Sequence, residues 1–392
     1  MFMDNCNGEK ETRRQIVVAI CYDFDRTLSP DEMQAQGFIQ DIGFEPREFW
    51  ETSNRLAEEN DMDQTLAWML KMKEDAHGRD LFTRESLIGR GEKISFFPGV
   101  ESWFERINTY GSQYDICVEH YVISSGLREM IEGTYLARQG VFKKIYASSF
   151  YYDQMGVALW PAQVVNFTNK TQYLFRIEKG ALDINDPGVN SYKAPQDIRV
   201  PFCNMIYIGD SETDIPCMSL VNKNGGFSVG VYDGKNGLKH SVYKMLREHR
   251  IGYFVPADYR EGGELDLLIK DAIDKVAAVA KLDSHHKQCV DEVSNYDLQT
   301  SEDTQRKNDL IIALEASCNF ATTHKIIGDL SSIAFWTEDE KILLCEAAVK
   351  NSQVRYILSD ADVRAFYNSL DLGKSRSDSE AVMFVQNSIK SY

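Results

Sequence analysis

The sequence predicts an α/β fold, a doubly wound parallel sheet with a small helical insertion and an extra all-helical C-terminal region. Short, continuous apolar runs rich in Val and Ile alternate with helical patterns over the first 280 residues or so, which is typical of buried parallel strands joined by helices. Beyond residue 282 no run of this kind recurs, and only helical spacing remains. Two different regions are therefore expected.

The strands are predicted in order from these runs. The first covers 15–22 (QIVVAICY), and the others are expected at 116–123, 142–147, 205–208, 227–232 and 251–255, with a hairpin over 149–167. Helices are expected from about residue 101, near 127–139, from about residue 171 and over 265–281. This alternation of strands and helices indicates a Rossmann-like sheet.

Residues 30–95 interrupt the alternation. Their apolar positions mostly follow helical spacing among many charges, which predicts a small helical cap inserted into a core made of residues 1–29 and 96–282. The C-terminal region, 283–392, holds 18 acidic and 11 basic residues and is predicted to form helices near 304–327, 337–350 and 360–370. Thr337 and Glu340 have the spacing of a capping box, and Asp360 can cap the last helix.

Composition excludes some classes of function. Among 392 residues, 43 Lys and Arg face 60 Asp and Glu, a formal charge of −17. Nucleic acid and anionic membranes reward clustered positive charge, so neither is expected as a partner. No apolar stretch approaches the ~18 residues of a spanning helix, and the protein is expected in the cytoplasm. The sequence leaves the oligomeric state open.

Two acidic segments follow predicted strands. Asp23 and Asp25 lie in DFDRT after the first strand, and Asp210 and Asp214 lie in GDSETD after the strand at 205–208. Carboxyl ends of parallel strands border the ligand crevice of such sheets, so as many as four carboxylates can converge there. Two unit charges ~4 Å apart repel by about 4 kcal/mol at an effective dielectric of 20, so the cluster needs neutralisation. Oxygen ligands without His or Cys favour Mg²⁺.

These segments, taken with Ser124 and Lys170, resemble the four ordered motifs of the haloacid dehalogenase superfamily. The resemblance spans about residues 15–260, and the C-terminal region lies outside it. The insertion at 30–95 resembles the type-one cap of the phosphoserine phosphatase branch, and the hairpin at 149–167 lies where a second insertion can occur. The resemblance implies a phosphatase or phosphotransferase, because dehalogenases lack a carboxylate at the position of Asp25.

The resemblance also implies roles for the acidic residues. Asp23 is the expected nucleophile and contacts Mg²⁺. Asp25 is the expected general acid and base and also ligates the ion through its backbone carbonyl, while Thr27 orients the Asp25 loop. Asp210 is expected to ligate Mg²⁺, and Asp214 to support it either as a direct ligand or from behind the ligands.

The resemblance also implies phosphate-binding residues. One is Thr27, at the end of the first acidic segment, and the others lie outside both acidic segments. Ser124 is expected at the start of a helix, with the amides of Ser125 and Gly126 beside it, because helix N-termini bind anions. An ordinary Ser N-cap is the alternative. Lys170 is expected to bridge Asp23 and the phosphoryl oxygens. Lys179 is a weaker candidate for the same role.

The substrate is less well defined. Glu32 is the nearest match to the acidic residue that contacts the substrate amine in the phosphoserine phosphatase branch, and a solvated helix-start carboxylate is the alternative. Arg47 and Trp50 are candidates at the mouth of the cap, although the core of the cap is the preferred position for Trp50. Where that branch has a second glycine in the motif of Ser124, this chain has Ser125.

The predicted function is therefore Mg²⁺-dependent hydrolysis of a small phosphorylated metabolite through an aspartyl-phosphate intermediate. One alternative is transfer of the phosphoryl group to an acceptor other than water. The other is a non-catalytic sensor or scaffold that binds a phosphorylated ligand and uses the C-terminal region to hold a partner.

Overall fold

The computed structural model describes residues 15–235, 239–299, 301–372 and 379–390. The chain forms two compact units, of which the first ends at Leu282 and the second begins at Asp283. The division of the first unit into a core and a cap stays a prediction.

A seven-stranded sheet forms the centre of the first unit, with the strand order β4-β3-β2-β1-β5-β6-β7. Neighbouring strands are parallel except β3 and β4, which form the antiparallel hairpin expected at 149–167. The predicted α/β class is confirmed. The strands are β1 (Ile16–Tyr22), β2 (Ile116–Leu127), β3 (Lys144–Tyr152), β4 (Ala158–Gln163), β5 (Met205–Gly209), β6 (Phe227–Tyr232) and β7 (Tyr253–Pro256).

Strand β1 lies in the middle of the sheet. Its last five residues are buried, as expected for a strand covered on both faces. It pairs with β2 on one side and β5 on the other, so Tyr22 aligns with Val122 and with Ile208. The carboxyl ends of these three strands therefore meet at one edge of the sheet.

Eleven α-helices begin in the described part of the first unit, and the last of them contains the boundary between the units. They are α1 (Phe38–Asp41), α2 (Pro46–Glu59), α3 (Gln64–Ala76), α4 (Arg84–Gly91), α5 (Val100–Ser112), α6 (Arg128–Gly133), α7 (Tyr135–Arg138), α8 (Thr171–Lys179), α9 (Ile215–Lys223), α10 (His240–Arg247) and α11 (Glu264–Gln299).

The segment 30–95 is helical, as predicted, and contains α1 to α4. Its apolar residues Phe38, Phe49 and Met69 are fully buried in the same core as the sheet residues Val18 and Ile20. Helices α2 and α3 pack on each other, so residues from both can face the edge of the sheet where β1 ends.

The regular elements described in the second unit are all helices. Its core contains Leu314, Ile327, Leu344, Val363 and Val385. The helices are α12 (Glu302–Ala316), α13 (Phe320–Ser331), α14 (Glu338–Lys350), α15 (Ser352–Tyr356), α16 (Ala361–Ser369) and α17 (Glu380–Lys390). Helices α15 and α17 were not predicted.

Polar caps decide where several helices begin. The Thr337–Glu340 capping box is confirmed, with the Thr337 amide 2.7 Å from the Glu340 carboxylate. The helix predicted over 304–327 is instead two helices, because the Asn319 side chain accepts from the Thr322 amide at 2.9 Å and starts a new one. Asp360 precedes α16 without a side-chain cap, and its carboxylate lies 3.3 Å from His324.

Within the residues that the structure describes, none of the helices is both long and apolar enough to cross a membrane. The cytoplasmic location stays a prediction.

Candidate active site

Acidic residues follow β1 and β5 directly, and these strands are parallel neighbours. The Asp23 amide extends their pairing by donating to the Ile208 carbonyl at 2.9 Å. One carboxylate oxygen from each of Asp23, Asp210 and Asp214 lies within 4.8 Å of the others. The convergence expected from the two acidic segments is therefore present, and it is strongest for these three residues.

Lys170 provides the cation inside this cluster. It ends a 3-10 turn just before α8, and its side chain is completely buried. Its Nζ lies 2.8 Å from Asp214 Oδ1 and 3.3 Å from Asp23 Oδ1, and it donates to Thr213 Oγ1 at 3.3 Å. Burial alone lowers the pKa of Lys170, but the charges of Asp214 and Asp23 raise it above its ordinary value, so the ammonium stays charged.

Asp214 is the most fully bonded of the carboxylates. Lys170 and the Tyr207 hydroxyl both donate to its Oδ1 at 2.8 Å, and Ser211 donates to Oδ2 through its hydroxyl at 3.2 Å and its amide at 3.3 Å. Gly209 makes this approach possible, because a Cβ there would lie only 2.6 Å from the Asp214 carboxylate. Both oxygens of Asp214 are thus already committed to the protein.

Negative charge exceeds positive charge around Asp23. Its Oδ1 accepts from the Phe24 amide at 2.8 Å. Burial, followed by the charge of Asp214, raises the pKa of Asp23 to about 7, although Lys170 opposes the shift. Burial, followed by the charges of Asp214 and Asp23, also raises the pKa of Asp210 well above its usual range. One ammonium therefore leaves this three-carboxylate cluster with surplus negative charge.

Asp25 is half-buried, and its Oδ1 accepts a hydrogen bond from the Met33 amide at 2.9 Å. Burial and then the charge of Asp23 raise the pKa of Asp25 well above its usual range. Gly126 lies against the other oxygen, because a Cβ there would be 3.0 Å from Asp25 Oδ2 and 2.2 Å from Met33. The glycine after Ser125 thus leaves room for Asp25.

Ser124 differs from its predicted setting. Strand β2 continues to Leu127, and the helix expected near 127–139 begins only at Arg128 and is divided at Thr134, which starts α7. Ser124 is therefore not an N-cap. Its buried hydroxyl oxygen accepts from the Gly126 amide at 3.0 Å, so the hydroxyl proton points elsewhere and that amide is already engaged.

A cavity of about 170 Å³ opens at this edge of the sheet. Seven of the predicted site residues line it: Asp23, Asp25, Glu32, Ser124, Ser125, Gly126 and Asp210. Five other residues line it: Arg26 and Ser211, which lie in the two acidic segments but had no assigned role, Trp50, for which the core of the cap was preferred, and Gln34 and Trp68, which the sequence did not indicate.

Three predicted residues lie behind the cavity wall and contact residues that form it. The buried Thr27 hydroxyl donates to Asp210 Oδ1 at 3.5 Å. Lys170 reaches Asp23, and Asp214 is bonded to Ser211, as described above. These residues orient the wall from behind.

Arg47 does not join the site. It lies at the start of α2 with an exposed side chain that pairs with Glu51, one turn along the same helix, at 2.8 Å. Lys179 is also remote, since its ammonium donates to the backbone carbonyls of Val189 and Ser191. Trp50, expected in the core of the cap, is half-buried and faces the cavity.

Glu32 lines the cavity, and its contact with a substrate stays a prediction. Its carboxylate pairs with Arg26 at 2.9 Å. Burial raises the pKa of Glu32, an effect that Arg26 only partly opposes. Gln34 lies close in sequence, is buried, and makes no side-chain hydrogen bond within the described part of the chain.

Comparison with known proteins gives distant matches. No protein-family model matches the chain. An uncharacterized protein of Borreliella burgdorferi is 25% identical over 284 residues, which cover 64% of this chain and 95% of that protein. A hydrolase of the haloacid dehalogenase family from Salmonella enterica serovar Typhi is similar in structure, with 16% identity, 64% of this chain and 69% of that chain covered, and a TM-score of 0.43.

A probable phosphoserine phosphatase from Vibrio cholerae is similar at the same level. It has 15% identity, 69% of this chain and 67% of that chain are covered, and the TM-score is 0.43. These solved structures carry the name of the superfamily, and of the branch, that the motifs resemble.

Proposed function

We propose that the protein is a Mg²⁺-dependent phosphatase that hydrolyses a small phosphorylated metabolite through an aspartyl-phosphate intermediate on Asp23. The observation that carries the proposal is the Asp23 carboxylate, which borders the cavity while lying 3.3 Å from Lys170. An aspartyl nucleophile splits a very slow hydrolysis into two easier displacements, and a buried ammonium beside it stabilises negative charge.

The donor atoms fit Mg²⁺. The cluster offers oxygen atoms only, from Asp23 and Asp210, and the family pattern adds the Asp25 carbonyl. Both oxygens of Asp214 are bonded within the protein, so we assign it to holding Lys170 in place rather than to the ion. When bound, Mg²⁺ supplies positive charge that stabilises the transferring phosphoryl group.

In the first step, a carboxylate oxygen of Asp23 attacks phosphorus and the ester P–O bond breaks. Asp25 donates its proton to the departing alcohol oxygen, and its raised pKa is consistent with a carboxylic acid that holds a proton to give. The products are the free alcohol and a phosphorylated Asp23.

In the second step, water attacks the phosphorus of the intermediate. Asp25, now ionised, accepts a proton from that water, the bond to Asp23 breaks, and inorganic phosphate leaves. Asp25 returns to its protonated form and Asp23 to its carboxylate, so the cycle closes without another reactant.

Two side chains from other motifs position the phosphoryl group. The Ser124 hydroxyl accepts from Gly126, so its own proton is available to a phosphoryl oxygen. Lys170, held by Asp214, faces Asp23 and offsets the charge that develops on the oxygens. Thr27 orients Asp210 from behind.

Steady-state hydrolysis of phosphate esters with and without Mg²⁺ tests the proposal. We expect Mg²⁺-dependent phosphate release that falls on the order of 10⁴-fold or more in Asp23→Asn. Asp61→Asn is the matched control, because Asp61 is exposed and its positive φ of 50° suits Asn. Equal activity of Asp23→Asn and wild type would overturn the assignment of the nucleophile.

The same assay separates the two alternatives. If added alcohols capture the phosphoryl group faster than water does, the protein is a phosphotransferase with the same intermediate. If no ester is turned over but phosphorylated ligands bind, the protein is a non-catalytic sensor. Trapping of phosphate on Asp23 distinguishes the two, because the phosphotransferase forms this intermediate and the non-catalytic sensor does not.

A further inference from the structure

Two glutamines lie on one 3-10 turn beside the catalytic carboxylates. The turn covers Met33–Gln36, and the Met33 amide at its start donates to Asp25 Oδ1 at 2.9 Å. In the proposed reaction Asp25 gives its proton to the departing alcohol. The turn therefore lies next to the residue that meets the alcohol oxygen.

The carboxamide of Gln36 is fully bonded within the protein. Its Nε2 donates to Ser29 Oγ at 2.6 Å and to the Asp31 carbonyl at 3.0 Å. Its Oε1 accepts from the amide and the hydroxyl of Ser95 at 2.9 and 2.8 Å. Both donors and both acceptor positions of this side chain are thus used to hold the turn in place.

Gln34, on the same turn, is the opposite case. It is only 2% exposed and lines the cavity, and within the described residues its carboxamide makes no hydrogen bond. A buried carboxamide without a partner is unfavourable, and most such groups in folded proteins are bonded. The cavity is the place from which a partner can reach Gln34, and the side chain can both donate to that partner and accept from it.

The charged side chains near Gln34 favour an uncharged partner. Apart from the carboxylates of the two acidic segments, the charged residues that line the cavity are Arg26 and Glu32, which pair at 2.9 Å. An alcohol that carried an ammonium or a carboxylate would compete for one member of this pair and leave the other unpaired. A hydroxyl group donates and accepts without disturbing the pair.

We propose that Gln34 binds an uncharged hydroxyl group of the leaving alcohol, so that the substrate is a phosphate monoester of an alcohol with at least one further hydroxyl. This inference rests on the proposed phosphatase function and specifies its substrate class. The hydroxyl accepts from the Gln34 amide or donates to its carbonyl, and this bond orients the ester oxygen toward Asp25. An ester without the hydroxyl leaves the carboxamide unpaired and is rejected for that reason.

The test compares α-glycerol phosphate with propyl phosphate, which has the same carbon chain and no hydroxyl group. We expect kcat/KM for α-glycerol phosphate to exceed that for propyl phosphate by about tenfold to hundredfold, because only the first ester satisfies Gln34. We also expect it to exceed the value for serine phosphate, whose added groups are charged.

Glutamine-to-methionine variants locate the preference. Gln34→Met keeps the length of the side chain and removes the carboxamide, so the ratio of the two kcat/KM values should fall toward one. The midpoint of denaturant unfolding should not fall, because no bond within the protein is lost. Gln36→Met loses the contacts with Ser29, Asp31 and Ser95 and should lower that midpoint. Gln139→Met, at an exposed position after α7, should change neither the ratio nor the midpoint.

The outcomes separate the inference from the proposed function. Equal kcat/KM for α-glycerol phosphate and propyl phosphate, or a clear preference for serine phosphate, would overturn the inference and leave the phosphatase intact. A ratio that Gln34→Met leaves unchanged would do the same, even if both rates fell, because a merely structural role affects both esters alike. So would a loss of stability in Gln34→Met as large as that in Gln36→Met. No Mg²⁺-dependent turnover of any ester, p-nitrophenyl phosphate included, would overturn both.

Discussion

The two units treat buried polar groups in opposite ways. In the second unit the side-chain amide of Asn351 shares its N–H groups among the carbonyls of Leu314, Glu315 and Ser317, at 2.8, 3.0 and 2.9 Å, and so provides donors for the end of α12. In the first unit Asp23, Asp210 and Asp214 form a cluster of three carboxylates, and the ammonium of Lys170 contacts only two of them, Asp214 at 2.8 Å and Asp23 at 3.3 Å.

This difference distinguishes polar groups that stabilise a fold from those that prepare a site. Buried polar atoms that are fully bonded specify one arrangement of helices. In the first unit, burial and then the charges of neighbouring carboxylates instead raise the pKa of Asp23, Asp25 and Asp210, a pattern that is common at functional sites.

After Asp23→Asn, the largest expected effect comes from Asp25→Asn, which keeps the shape of the side chain and replaces its acidic carboxyl group with a neutral amide. We expect kcat for an alkyl phosphate to fall about 10²- to 10⁴-fold, because an alkoxide leaves poorly without an acid. For p-nitrophenyl phosphate, whose leaving group needs no proton, the fall in the rate of Asp23 phosphorylation should be much smaller. Burst kinetics with both esters measure the two rates.

Asp303→Asn is the matched change in the second unit, where the exposed Asp303 lies 3.7 Å from Lys307. It should leave both rates as in the wild type. An equal loss for both esters in Asp25→Asn would instead mean that Asp25 acts by positioning Asp23 rather than by giving a proton.

The next comparison concerns the buried ammonium of each unit. Lys170→Met leaves Asp23 and Asp214 without their cation, and breaking a buried pair in this way costs about 3–5 kcal/mol of unfolding free energy. Lys307→Met should cost only about 1 kcal/mol, because Glu340 retains the Thr337 amide at 2.7 Å after losing a contact of 3.3 Å. Chemical denaturation of the full chain, followed by circular dichroism, measures both.

Equal losses in the two lysine variants would contradict the idea that charge is balanced differently in the two units. A Lys170→Met protein as stable as the wild type would mean that its carboxylates take up protons when the ammonium is absent. Measuring the unfolding free energies of the wild type and Lys170→Met at pH 8 and pH 6 distinguishes this case, because the carboxylates take up fewer protons at the higher pH.

The sequence predicted the acidic side of the site better than the cavity opposite it. Asp23 and Asp210 directly follow apolar runs, and parallel strands bring such positions together, so their convergence follows from local pattern and topology. Trp50 and Trp68 have no such signal, because an aromatic residue at helical spacing packs inward as often as it faces a ligand. Their meeting depends on how α2 and α3 pack.

Ser124 shows a second limit. A serine after a strand and before a helical pattern predicts an N-cap, yet β2 continues for three residues beyond it. The hydrogen bond from Gly126 to Ser124 and the contact of Gly126 with Asp25 depend on tertiary neighbours that no local pattern contains. In the second unit, Asn319 between two apolar stretches was the available signal for a new helix.

A smaller effect on the unfolding free energy is expected from the titration of His120 in the first unit. Burial lowers its pKa to about 3, and its ring lies 2.9 Å from both the Tyr22 hydroxyl and Asn108. The unfolded chain takes up this proton near pH 6.5, whereas the folded protein does not until about pH 3, so stability is lost as pH falls through that window. Between pH 7 and pH 5 the loss is about 2 kcal/mol.

Replacing His120 with Gln removes this titration and retains an amide that can donate and accept. The fall in unfolding free energy between pH 7 and pH 5, measured by denaturant titration at each pH, should be about 1–2 kcal/mol smaller in the variant than in the wild type. Identical pH dependence in the two proteins would mean that the ring binds its proton equally in both states.

In the second unit, the contribution of His324 to the unfolding free energy should change with pH in the opposite direction. This is the smallest of the predicted effects. Asp362 accepts from its ring at 2.7 Å and Asp360 lies at 3.3 Å, and mainly through the Asp362 hydrogen bond they raise the pKa of His324. The pairing stabilises the fold below the unfolded pKa of about 6.5 and is lost as pH rises through the higher folded value. His324→Gln should therefore lower stability more at pH 5 than at pH 8, by less than about 1 kcal/mol because the pair is partly exposed to solvent. A larger loss at pH 8 would contradict the ion pair, since only the charged imidazolium gains from these carboxylates.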